Sequence, residues 1–325
     1  MINVLLQPLT PEAQRAHEWQ NTLHSWLMIA GSTLLMGIIA FLIFGASGVV
    51  WSVLLTAFGL WQAGRVSPRM VLKLYKAQPL GEHDVPELHK LMLELAARAD
   101  LPAVPNLHYV PSRMMNAFAV GKPENSAIAV TDGLIRNLTL RQLAGVLAHE
   151  VSHIRNGDLR VMALGDVLSR LTGTMSTFGL LVGVPTALLT GGTAIPWLAI
   201  LALFAAPTVS SLLQLALSRA REYDADLDAA GLTGDPEALA SALQSLEQKQ
   251  GGIWEKLAMP GARSPQPSIM RSHPKTEDRV ERLLSLRSKA TPIIVGSNQK
   301  LRPGRSIVPP VRNPRINFDR MGLWY

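Results

Sequence analysis

The sequence predicts a mainly α-helical membrane protein with two transmembrane helical hairpins and a small β-sheet. Three observations carry that expectation. Two blocks, 25–64 and 171–218, run for forty and forty-eight residues without one ionisable side chain. Charged residues make up only 17% of the 325-residue chain, against roughly 25% in a soluble domain, and the mean hydropathy is +0.18. Two short apolar runs, "NAFAV" and "AIAV", flank the turn-rich "GKPENS", which is the pattern of a β-hairpin.

The elements follow in order. "TPEAQRAHEWQNTLHSW" reads as a short cytoplasmic helix within 1–24, leading into the first apolar block. As helix, 25–64 would be roughly 60 Å long, about twice the ~30 Å hydrocarbon core. It divides at "GASG" (45–48) into spans of about 19 and 16 residues, and it is too long and starts too late for a cleaved signal peptide. Arg15 precedes it and Arg65, Arg69, Lys73 and Lys76 follow, while the turn is uncharged. The bias of Lys and Arg toward the cytoplasm places both ends inside. The second block breaks near "TGGTAIP" (190–196), and Pro185, Pro196 and Pro207 interrupt it. Arg155, Arg160 and Arg170 lie before it, and Arg219 and Arg221 after, so its ends are also read as cytoplasmic, and the hairpin either spans fully or is shallow or buried in protein.

Between the blocks lies "NLTLRQLAGVLAHEVSHIRNG". Thr139 and Gln142 form a capping-box signature; Leu143, Val146, Leu147 and Ile154 recur at helical spacing; Asn156-Gly157 offers a stop. On that helix His149 and His153 lie one turn apart on one face, so both imidazoles can reach one ion. Glu150 points about 100° away, placed to hold a water rather than to ligate. The chain has no cysteine, so a metal must use His, Asp or Glu. A hydrolytic site needs a third protein ligand and an open fourth position. Downstream, "SRAREYDADLDAAG" sets Glu222 and Asp226 four apart on one helical face. Glu222 can be the third ligand, and Asp226 can accept from the far nitrogen of a ligating histidine. A segment inserted between His153 and Glu222 must leave and return at the same place, as a hairpin does.

The remaining segments are less specific. The β-hairpin can be structural, or its edge can pair with an extended substrate, Asn116 and Ala119 touching it mainly through main chain. Residues 235–250 read as a capped amphipathic helix, and 251–268 as a mobile loop rich in Gly, Pro and Ser. His273 stands before Pro274 at a helix start, with Arg279 inside that helix. The net charge of +7 is concentrated in 289–325, with seven Lys or Arg and one acid. This is a basic, Pro-rich tail rather than a nucleic-acid surface, suited to resting on anionic lipid or on the domain.

"MNAFAVG", "AIAVTDGL", "GVLAHEVSHIRNGD", "SRAREYDAD" and "HPKTEDRVERL" occur here in the order found in the HtpX family of membrane metalloproteases, related to the CAAX prenyl proteases. The resemblance covers roughly 20–290 and leaves out the tail. It implies a zincin-like (gluzincin) metalloprotease domain with a small β-sheet at the cleft. One Zn2+ would be bound by His149, His153 and Glu222, with Glu150 as general base and Asp226 behind the ligands. It favours the substrate-edge reading of Asn116 and Ala119, and it makes His273 an oxyanion stabiliser and Arg279 a substrate or structural anchor. On this division 65–158 and 219–288 are two parts of one zinc protease domain, and 25–64 and 159–218 are membrane hairpins. The implied role is degradation of misfolded or damaged membrane proteins or unfolded polypeptides at a bacterial inner membrane, in contact with the lipid bilayer, with the site facing the cytoplasm. Specific processing, as in a CAAX prenyl protease, is the alternative within the same chemistry, though only four spans at most are visible. A non-enzymatic metal-bound scaffold would need a fourth protein ligand, and none is evident. A transporter is disfavoured because neither block carries an intramembrane charge.

Overall fold

A computed structural model describes residues 11–63, 67–254 and 276–286. In chain order the elements are α1 (Pro11–Ala63), α2 (Pro68–Leu74), β1 (Gln78–Pro79), α3 (Pro86–Arg98), β2 (Asn106–Val110), β3 (Ala117–Lys122), β4 (Asn125–Thr131), α4 (Asp132–Asn137), α5 (Leu140–Arg155), α6 (Asp158–Thr190), α7 (Trp197–Thr233), α8 (Pro236–Trp254) and α9 (Thr276–Ser285). They fall into two compact units. One holds 68–155 and the described residues from Glu222 onward; the other holds 11–67 and 156–221.

The first unit is built on a four-stranded mixed sheet of order β1-β2-β4-β3. The expected hairpin is β3–β4, antiparallel with Lys122 opposite Asn125. β2, which composition had not singled out, pairs parallel to β4, and β1 adds an antiparallel edge. β3 is therefore the other edge strand. α3 buries Leu88, Leu91, Met92 and Leu95, spaced as one helical face. α5 buries Leu143, Leu147, Val151 and Ile154 completely or nearly so. Each such side chain contributes about 1.5–3 kcal/mol of burial free energy. The capping box forms: the Thr139 N–H donates to Gln142 Oε1 at 2.9 Å and the Gln142 N–H to Thr139 Oγ1 at 3.2 Å. α8 is capped by Asp235, whose Oδ1 accepts from the Ala238 N–H at 3.1 Å. α5 and α8 approach so closely at Gly145 that a Cβ there would lie 2.9 Å from the Leu239 main chain.

The second unit is helical throughout. α1 is broken once, at Gly45, whose φ of 63° and ψ of −150° lie outside the helical region. The chain doubles back there, since a Cβ at Gly37 would stand 3.9 Å from Ser52 Oγ. A straight helix would separate these positions by roughly 22 Å. The turn falls within the expected "GASG", and the helix leading into it begins at Pro11 and runs on without a break into the first apolar block. α6 and α7 form a second antiparallel pair broken at 191–196, joined by a bond from Ser176 Oγ to the Leu203 carbonyl at 2.5 Å. Pro185 and Pro207 do not interrupt these helices; both lie inside them. A proline inside a helix forfeits one N–H bond and bends the axis, and helix packing tolerates this more readily than composition suggests.

This unit buries Met36, Ile39, Leu168 and Leu203, yet it also turns large apolar side chains outward. Ser32, Ser52, Thr56, Thr172, Ser176 and Ser210 are buried, whereas Phe44, Trp51, Phe178 and Leu181 are exposed, Phe204 is 75% exposed and Leu189 is 87% exposed. Among the described residues α6 is long and apolar enough to cross a membrane, and shorter apolar stretches occupy Ala30–Phe41, Phe44–Gly59 and Trp197–Leu212. The tail, His273 and most of the segment read as a mobile loop lie outside the described residues; 251–254 of that segment continue α8.

Candidate metal centre

The helical period of α5 brings His149 and His153 together, their Nε2 atoms 3.2 Å apart. α7 supplies Glu222, with Oε2 3.3 Å from His149 Nε2 and Oε1 3.7 Å from His153 Nε2. All three side chains are buried. A tetrahedral ion with bonds of about 2.1 Å holds its ligand atoms roughly 3.4 Å from one another. One donor atom from each residue lies within 4.8 Å of the others, close enough for modest adjustment to reach that spacing, and the two-nitrogen, one-oxygen donor set suits a borderline divalent ion.

Electrostatics support the same fit. Burial alone would lower the His149 pKa, but Asp226 and Glu222 beside the ring outweigh it and push it up to about 10. A pocket that holds a proton this firmly favours positive charge, and a metal ion would displace that proton on binding. Asp226 Oδ1 lies 3.1 Å from His149 Nδ1, so it orients the ring with Nε2 toward Glu222 and His153.

Glu150 is only 3% exposed. Its Oε2 accepts from the Ala119 N–H at 2.9 Å, while Oε1 has no hydrogen-bond partner among the described residues. Burial raises its pKa, against the pull of His149 and His153. A carboxyl so raised, with one oxygen committed and the other available, suits a proton carrier.

The bond to Glu150 shows that the Ala119 N–H faces the outer edge of β3, away from β4. Alternation along the ladder then puts the Ala117 main chain on the same edge. Asn116 differs from expectation. Its N–H donates to Thr131 Oγ1 and its carbonyl accepts from the Thr131 N–H and hydroxyl, so its main chain is engaged and only the side chain remains to offer. The Thr131 hydroxyl, close enough to bridge both groups, takes them first.

Arg279 is 4% exposed. Its Nε and one terminal nitrogen donate to Asp226 at 2.7 and 2.6 Å, and its other terminal nitrogen lies 3.6 Å from Glu222 Oε2. Of the two roles open to it, structural anchor is the one its surroundings fit. Burial raises the Asp226 carboxyl's pKa, but Arg279 and then His149 lower it further, below the ordinary value. Sequence reasoning missed Asp228. Its Oδ2 accepts from Ser152 Oγ at 2.8 Å and pairs with an Arg155 nitrogen at 2.6 Å. The signal was there: a second acid two residues past Asp226, and a cation two past His153.

The family model described as peptidase family M48 matches residues 82–287. A protein named Protease HtpX homolog from Methylibium petroleiphilum is 32% identical, over 82% of this chain and 98% of its own length. One of the same name from Ralstonia pickettii is 32% identical, over 82% of this chain and 96% of its own. A crystal structure of S. mikatae Ste24p is similar at a TM-score of 0.46 and 19% identity, covering 85% of this chain and 67% of that one.

Proposed function

The chain belongs to peptidase family M48 and is a metalloprotease, and from that premise we propose an integral-membrane zinc endopeptidase that degrades damaged or misfolded membrane proteins. We place it in a bacterial inner membrane with its site on the cytoplasmic side. Family membership sets aside the non-enzymatic scaffold. The observation that carries the chemistry is the His149–His153–Glu222 donor triangle with the Glu150 carboxylate beside it.

These three residues would hold a zinc ion, which would supply Lewis acidity to activate water and polarise the scissile carbonyl. Glu150 takes the proton of the attacking water on Oε1, the oxygen left free by Ala119, and delivers it to the leaving amine nitrogen. Asp226 keeps the His149 ring in register, and Arg279 keeps Asp226 ionised. An extended substrate lies along the outer edge of β3, held by main-chain bonds that read little sequence, at groups other than the Ala119 N–H that Glu150 already engages. Such loose selectivity suits degradation better than processing at one site. His273 completes the proposal as a donor to the substrate oxyanion.

Membrane integration is supported by the helical unit's outer surface, where many large apolar side chains are exposed while several hydroxyls lie inside, as in helices packed in lipid. The Lys and Arg flanking both apolar blocks support a cytoplasmic site.

Glu150→Gln in the purified full-length protein should retain one zinc per chain and lose peptide-bond cleavage. Cleavage at the wild-type rate would refute the mechanism. His149→Ala, His153→Ala and Glu222→Ala should each lose metal at low-nanomolar free zinc. In cells, Glu150→Gln should let damaged membrane proteins accumulate; an unchanged membrane proteome would refute the quality-control role.

A further inference from the structure

Resting on the metal reading above, we infer that Asp228 is a positioning residue for the third ligand, because it sets the roll of α7 about its own axis. At about 100° per residue, Glu222 and Asp226 lie within roughly 40° of each other on α7, and Asp228 lies about 160° from Asp226. Ala225 and Ala229, both fully buried, occupy the strip between the two aspartates. A strip of methyl groups presents no ridge that would resist rotation. Polar contacts must supply the resistance: the two acids at its margins, helped by the Tyr223 ring against Arg282 and by Arg221 beside Asp158. Asp226 is held by Arg279 and His149 on one side; Asp228 is held by Ser152 and Arg155 of α5 on the other. The Arg155 and Asp228 side chains are each only 10% exposed, so water screens the pair weakly.

The magnitude makes roll matter. The Glu222 carboxylate sits roughly 5–6 Å from the helix axis, so a 20° roll displaces it by about 2 Å. Metal–ligand distances tolerate only about ±0.2 Å. One anchored margin permits rocking about that margin, whereas two do not. Asp228 lies about 120° around α7 from Glu222 and still determines where that ligand points. Ser152 and Arg155 share α5 with His149 and His153, so the second clip refers Glu222 directly to the helix that carries the other ligands.

The test uses full-length protein, zinc buffered at graded free concentrations, and Co2+ as a spectroscopic probe. Asp228→Asn and Arg155→Met should each weaken zinc binding about 10-fold or more and alter the Co2+ d–d absorption. The double variant should be no worse than the poorer single one, since both remove the same contact. Ser152→Ala, a milder change that keeps the ion pair, should weaken binding by about 3-fold and serves if the charge variants do not fold. A zinc Kd within twofold of wild type in the folded charge variants, with an unchanged Co2+ spectrum, would overturn the inference even if they melt earlier. So would an unchanged Kd in Ser152→Ala should those variants not fold. If wild type itself takes up no zinc or cobalt, the metal reading has failed instead, and the two failures are told apart.

Discussion

Replacing Arg279 with methionine keeps much of the side-chain stem and removes the guanidinium that lies between Asp226 and Glu222. The pair is buried, with donor–acceptor distances of 2.6 and 2.7 Å to Asp226. At roughly 4 Å between charge centres and an effective dielectric of about 20, one such attraction is about 4 kcal/mol. Removing one partner of a buried pair typically costs about 3–5 kcal/mol, because the other charge stays buried and uncompensated. For a domain of 150–250 residues, at about 2–4 °C per kcal/mol, that is a melting-temperature loss on the order of 10 °C. The pH dependence is a sharper check. The folded pKa of Asp226 is depressed, so the stability it contributes is present above the unfolded value of about 3.9 and lost as pH falls through the lower folded value. In the methionine variant burial is opposed by His149 but no longer by Arg279, so the carboxyl's pKa rises. The variant's deficit is therefore greatest near neutral pH and shrinks as the pH falls into the carboxylate range. Thermal melts of metal-free, solubilised full-length protein at pH 7.5 and pH 4 measure this. A loss under about 1 kcal/mol at pH 7.5, or a deficit that does not shrink in acid, would refute the anchoring role.

Three further outcomes are expected. Glu150→Gln should melt above wild type when both are metal-free at pH 8. Burial raises the Glu150 pKa, so wild type loses stability as pH rises above about 4.3, and the gap should close on acidification toward pH 4. Asp226→Asn should bind zinc about 10–100-fold more weakly in a metal-buffered titration, since the ring it orients is a ligand. Gly145→Ala should destabilise by about 1–3 kcal/mol in denaturant titration. The added methyl meets the Leu239 main chain at 2.9 Å, which outweighs the ~1 kcal/mol that alanine gains in helix propensity.

Much of the site was legible because its residues obey short periods. His149 and His153, and Glu222 and Asp226, are four apart on helices whose apolar spacing and caps declare them. The turn at Gly45 and the break at 191–196 were marked by glycine-rich runs. What escaped depends on long-range pairing. β2 is five residues long and its parallel partner β4 lies some twenty residues downstream, so no local pattern announces the ladder. The engagement of Asn116 turns on the hydroxyl of Thr131, fifteen residues away. Between substrate and anchor, the choice for Arg279 turns on Asp226, fifty-three residues earlier, and spacing cannot decide it. Pro185 and Pro207 misled in the other direction, since a local breaker lost to helix packing.

The donor atoms are dispersed along the chain, and this has a consequence for biosynthesis. His153 and Glu222 are separated by 69 residues, and Arg279 follows Glu222 by 57 more. At translation speeds of about 5–20 residues per second, the two histidines leave the ribosome roughly 3–14 s before the third ligand, and the anchoring arginine is later still. A nascent chain carrying the His-Glu-x-x-His helix therefore has only two of the three donors and cannot assemble the triangle. Messages cut short within the intervening hairpin would yield products that bear the signature of a protease yet lack the means to cut. Proteolytic competence arrives only after the intervening helices have been made, so a nascent chain that ends before Glu222 cannot cut the machinery that makes it.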